Sequence, residues 1–67
     1  MKIDYDAFSM WTKSVYANYF IRYLEPLPSG RTSSGYAVGL ALLGLFKSDC
    51  DMAPCDAVDY LVSKGYI

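Results

Sequence analysis

The stretch YDAFSMWTKSVYANYFIRYL, Tyr5 to Leu24, contains neither Gly nor Pro, and its apolar residues recur at helical spacing. Placed at about 100° per residue, Tyr5, Phe8, Val15, Tyr16, Tyr19 and Tyr23 share one side, with Thr12 among them. A second apolar strip, Met10, Ala17, Phe20, Ile21 and Leu24, runs along the flank of the later half. A helix packed on a core from one side has no use for two strips. One of them is therefore expected to be covered either by the rest of the chain or by another molecule.

Outward from this helix, Asp4 is expected as its N-cap, with Asp6 in the first turn where the helix dipole favours negative charge. Pro26 disfavours helical geometry at Glu25, so the helix is expected to end near Leu24. The Pro, Ser, Gly, Arg and Thr residues between Glu25 and Ser33 read as loop. Neither side of that loop is long enough to fold alone, which leaves a single domain over residues 1–67.

Ser33 or Ser34 is expected to cap a second helix over about 34–47. Tyr36, Ala37, Val38, Leu40, Ala41, Leu42, Leu43, Leu45 and Phe46 leave its middle without a polar face. A helix apolar all round is buried, and this one falls short of the roughly 20 residues that cross a bilayer. It is expected to be the central core helix. Gly35 and Gly39, four apart on one face, are expected to form a groove for the aromatic rings of the first helix.

Pro54 suits the first position of a third helix over about 54–64, with Asp56 near its start. Val58, Leu61 and Val62, helped by Cys55, form the expected inner stripe, and Asp56, Asp59, Ser63 and Lys64 face water. Gly65 fits a left-handed helix end, with Tyr66 folding back onto Leu61 or Val62. The fold class is therefore all-α, a compact three-helix domain.

Composition bounds the function. Among 67 residues, 54% are hydrophobic, 16% are aromatic and seven are Tyr. A chain of this size buries only roughly 60% of its unfolded surface, so some tyrosines must stand outside. The net charge is -1, with Lys2, Lys13, Arg22, Arg31, Lys47 and Lys64 scattered along the chain. A nucleic-acid binder concentrates its cations on one face, and nucleic acid is not the expected partner. The segment from Asp49 to Asp59 is acidic and favours a basic patch on a protein. Nothing at the start, Met1-Lys2-Ile3-Asp4, has the apolar core of a secretory signal, so a cytoplasmic setting is expected, with Cys50 and Cys55 reduced and half-buried near a helix start.

The chemistry of the side chains points away from catalysis. His is absent, which removes the commonest general base. Two Cys without His do not complete a zinc site, and the neighbours of both are Asp, which disfavour a thiolate. Gly30-Arg31-Thr32-Ser33-Ser34-Gly35 has the Gly spacing of a phosphate-binding loop, but Tyr36 and Ala37 replace the Lys and hydroxyl residue that should follow. Free N–H groups at that helix start, with Arg31, retain the chemistry to hold a single phosphate or carboxylate. No enzyme, metal or cofactor is expected.

From Leu40 to Ile67, under half the chain, the outline is that of a helix-turn-helix. The tail Leu61-Val62-Ser63-Lys64-Gly65-Tyr66-Ile67 resembles the end of a recognition helix in winged-helix proteins. That resemblance implies DNA binding by the third helix. The helix departs from the pattern by exposing Asp56 and Asp59, and it offers no Arg, Asn or Gln to reach base edges.

The expected function is therefore non-enzymatic protein binding, as an inhibitor or adaptor that occludes a larger cytosolic partner in the manner of a phage-type antagonist of a host system. Tyr5, Lys13, Tyr16, Phe20, Arg22 and Tyr23 of the first helix, with Arg31 of the loop, are the expected contact residues, being the types that dominate interface energetics. A DNA-binding regulator is the alternative. A homodimer through the second strip of the first helix is the third arrangement the sequence allows.

Overall fold

A computed structural model describes residues 3–28 and 33–67, with the side chain of Ser34 left aside. The described residues form three helices, α1 (Tyr5–Tyr23), α2 (Ser33–Ser48) and α3 (Pro54–Ser63), and no strand. The architecture is the expected compact all-α domain, measuring 33 × 22 × 20 Å. No described helix is long and apolar enough to cross a membrane.

Local chemistry sets the helix ends. Asp4 adopts an extended conformation, and its Oδ1 accepts from the N–H groups of Asp6 and Ala7 at 3.1 and 3.2 Å, satisfying donors that have no partner within the helix. At the other end Leu24 closes α1 in the left-handed region, φ 58°, its N–H donating to the Phe20 carbonyl. Helix α1 therefore stops one residue short of the expected 24. Helix α2 is one residue longer at each end than 34–47, and the residue before it lies outside the described part. In α3, Pro54 takes the first position and Lys64 serves as cap, not as a helical residue. Gly65, φ +78°, donates to Val62, and Tyr66 donates to Leu61. This pair of bonds is the Schellman closure, which needs a residue that tolerates the left-handed region. The Tyr66 ring lies beside Tyr60, 6.4 Å between centroids.

The core is drawn from every helix and one loop residue: Trp11, Val15 and Tyr19; Leu27; Val38, Leu42 and Phe46; Ala57, Val58 and Leu61. Phe8, Trp11 and Phe46 cluster their rings at one end, with Phe8 and Trp11 each 5.3 Å from Phe46 and tilted against it. Leu27, held between Pro26 and Pro28, is the anchor of the first loop and is 6% exposed.

The most extensive packing joins α1 to α3, which corrects the expectation that α2 is central. Helix α2 buries one stripe, Gly35, Val38, Leu42 and Phe46, while Tyr36, Gly39, Leu40 and Gly44 face outward. Its two neighbours cover only one side of it, whatever the apolarity of the other. The Gly35–Gly39 groove is absent: Gly35 is buried, but a Cβ on Gly39 would meet nothing within 4 Å. In α3 the inner stripe uses Ala57, and Val62 and Cys55 are exposed. Both thiols are free and exposed, not half-buried.

Candidate functional site

The contact residues read from the sequence divide into three groups. Tyr5, Lys13, Tyr16, Phe20 and Tyr23 lie along one edge of α1, within about 80° of arc. Their spacing spans most of a helix that rises about 1.5 Å per residue, giving an edge about 27 Å long. Tyr5, Phe20 and Tyr23 are 71%, 52% and 42% exposed. Tyr16 is half-buried and rests against the core. The Tyr23 ring leans on buried Tyr19, 4.8 Å between centroids, so its position is held from beneath.

The first half of this edge is concave. Tyr5, Phe8, Ser9, Thr12, Lys13 and Tyr16 line a shallow groove of about 580 Å³, predominantly apolar in its walls. Thr12 spends its hydroxyl on the Phe8 carbonyl at 2.8 Å, which leaves its methyl as the surface presented. Lys13 is the cation of the groove. Such a surface offers ring faces and one ammonium, suited to an apolar or acidic side chain of another protein.

Arg22 belongs to a different group. It sits on the α3 side of α1, and its guanidinium donates to the Asp59 carboxylate across the seam between the two helices. That bond, and after it the Tyr23 side chain, hold the Arg22 guanidinium above its already high usual pKa. The pair occupies Asp59, one of the two carboxylates expected to face water on α3. Arg22 is thereby an intramolecular tie at the end of the edge. Arg31 and the Gly30–Thr32 segment of the phosphate-loop spacing lie outside the described residues.

The outward face of α2 was not legible as surface. Tyr36 and Leu40 are 63% and 52% exposed, although the uniform apolarity of their helix reads as burial. On α1, Met10, Ile21 and Leu24 are 71%, 76% and 78% exposed, so no described element covers the second strip. A cleft of about 700 Å³ between the start of α1 and the end of α2 is lined by Ile3, Ala7 and Phe46 together with Lys47 and Asp51. Among the described residues no group of three His, Cys, Asp or Glu side chains comes together as a metal site would require. No protein-family model, curated protein or solved structure matches this chain.

Proposed function

We propose that the chain is a non-enzymatic protein-binding module that lays the Tyr5–Tyr23 edge of α1 on a larger cytosolic partner, as an inhibitor or adaptor. The observation that carries this reading is the uncovered line of rings itself, Tyr5, Phe20 and Tyr23 exposed and Tyr16 half-exposed along one helix edge. A monomer seldom leaves contiguous apolar surface of this kind in water without using it. Burying one such ring contributes roughly 1.5–3 kcal/mol, and a Tyr or Phe gives up only two torsions to do so. The rings are also held in place before binding, Tyr23 by Tyr19 and Tyr16 by the core, which lowers the cost of ordering them.

The DNA-binding alternative draws less support. The would-be reading helix is α3, whose exposed carboxylates are Asp56 and Asp59, the latter already engaged by Arg22.

Affinity capture from a lysate of the native cell, wild type beside the Tyr5→Ala/Phe20→Ala double variant, tests the proposal. Both positions are exposed, so the variant keeps the far-ultraviolet circular dichroism of the wild type. The proposal expects a bound protein retained by the wild type and lost by the variant. Equal capture by both, or tight binding of duplex DNA at low salt, where phosphate attraction is strongest, overturns it.

A further inference from the structure

On the side of α1 turned away from the core, six residues keep a spacing that neither the core nor the tyrosine edge uses. Ala7, Met10, Ser14, Ala17 and Ile21 alternate by three and four, the a/d repeat of a two-helix coiled coil, and Leu24, the left-handed cap just past the helix, continues the interval. All six are exposed and none is charged. The Ser14 hydroxyl donates to the Met10 carbonyl at 3.2 Å, so it enters an apolar seam with its polar atom satisfied. The line is about 25 Å long at 1.5 Å per residue, and a strict seven-residue repeat favours a left-handed crossing with a like partner.

We propose that this seam docks a second copy of the chain, α1 against α1′ antiparallel, about a two-fold axis passing between Ser14 and Ala17. In that register Ala7 faces Leu24′, Met10 faces Ile21′ and Ser14 faces Ala17′, and symmetry repeats each pair. Small residues meet only at the centre, where they let the two backbones approach, and a large side chain fills every outer layer. A parallel pairing sets Ala7, Ser14 and Ala17 each against its own copy, which leaves three layers too small to fill the space between helices. Lys13, at the flank, falls beside the Phe20′ ring in the antiparallel register, a cation over an aromatic face.

Two further observations favour a second copy. Leu24 takes the left-handed conformation that Gly or Asn adopts at less cost, yet its side chain is 78% exposed in the monomer. Packed on Ala7′, that side chain has a use. The area also reaches what a dimer needs: covering Met10, Ile21 and Leu24 with the small residues between them removes on the order of 500 Å² per copy, about 1,000 Å² in all, the lower bound for a specific interface. The six seam residues are separate from the tyrosine edge, of which only Lys13 and Phe20 border the interface, so Tyr5, Tyr16 and Tyr23 stay open on both copies.

Sedimentation of the full chain from about 1 μM to about 1 mM tests this, because an interface near the lower bound dissociates in that range. A monomer–dimer equilibrium is expected. Ala17→Glu places two carboxylates at the axis and is expected to raise the dissociation constant at least tenfold with an unchanged circular dichroism spectrum. Ile21→Gln, at an equally exposed position, serves the same purpose should Ala17→Glu fail to fold. The register is read by mixing Met10→Cys and Ile21→Cys chains, each with Cys50 and Cys55 replaced by Ser, and oxidising them. The antiparallel seam expects the mixed disulfide to dominate. A monomer at all concentrations, a dimer indifferent to both seam substitutions, or like-with-like disulfides would each overturn the proposal.

Discussion

The indole N–H of Trp11 donates to the backbone carbonyl of Met52 at 2.7 Å, a bond between residues 41 apart in the chain. It ties the first helix to the turn that joins the other two. The turn is otherwise organised locally, with the Asp49 carboxylate accepting from the Asp51 N–H and the Asp49 carbonyl accepting from the Met52 N–H. The Trp11 ring is 9% exposed and packs on Phe46, so one side chain supplies both a core contact and a directional link.

Trp11→Phe keeps most of the ring packing and removes the donor. The Met52 carbonyl then loses its partner, and a loss of about 1–3 kcal/mol is expected. Trp11→Ala adds a cavity and should cost about 3–5 kcal/mol, a large part of the stability of a domain this small. Urea denaturation followed by circular dichroism measures both. Equal stability of Trp11→Phe and wild type would show that the bond contributes nothing.

Gly39 and Gly44 stand inside α2 with open space where a Cβ would go. Ala at either position is expected to stabilise by about 0.5–1 kcal/mol, because it removes backbone freedom from the unfolded chain at no steric cost. Thermal midpoints should rise by about 4–8 °C per kcal/mol for a chain of this length. A fall in the midpoint would mean that this face is covered by something in solution.

Gly65→Ala should act in the opposite direction. Space is open there too, but the residue sits at φ +78° and closes α3 through its own bond to Val62 and the Tyr66 bond to Leu61 that its turn allows. An L side chain in that region costs roughly 1–2 kcal/mol. The contrast between three glycines under one substitution is read from the same melting experiment.

Leu24→Gly relieves the left-handed leucine at the end of α1. Measured at concentrations where the chain is monomeric, a gain of about 1 kcal/mol is expected. No gain, or a loss, would indicate that the Leu24 side chain already contributes to the monomer.

Arg22→Ala should lower stability only slightly and lose that effect as salt is added, since both partners of the ion pair are substantially exposed. Leu27→Ala is the counterweight: its side chain is buried in the core from a loop position, and about 2–4 kcal/mol should be lost.

Much of the outline was legible because it rests on chemistry between near neighbours. Asp4 caps donors two and three residues away, Pro54 presets the first turn of α3, and Gly65 accepts a conformation other residues resist. Along α1 the buried Val15 and Tyr19 lie on the side read from the sequence, and Trp11, which that reading did not place there, extends their line by one turn. The exposed tyrosines were legible for the same reason: Tyr5, Tyr16 and Tyr23 share a side of any regular helix, and Phe20, read as part of the flanking strip, borders them.

What the chain could not state in one dimension was which surfaces meet. In α2 apolar residues occupy every side, so periodicity carries no phase, and only the position of α1 and α3 selects Val38, Leu42 and Phe46 over Leu40. Ala57, and not Val62, lies in the core because the arrangement of the helices sets which face of α3 is covered. Arg22 met Asp59, 37 residues on, through a helix crossing that neither residue encodes. Capping, turns and helical phase are decided by residues a few positions apart, and so the sequence alone determines them. Burial is decided by whatever arrives from far along the chain, and so it belongs to the tertiary structure.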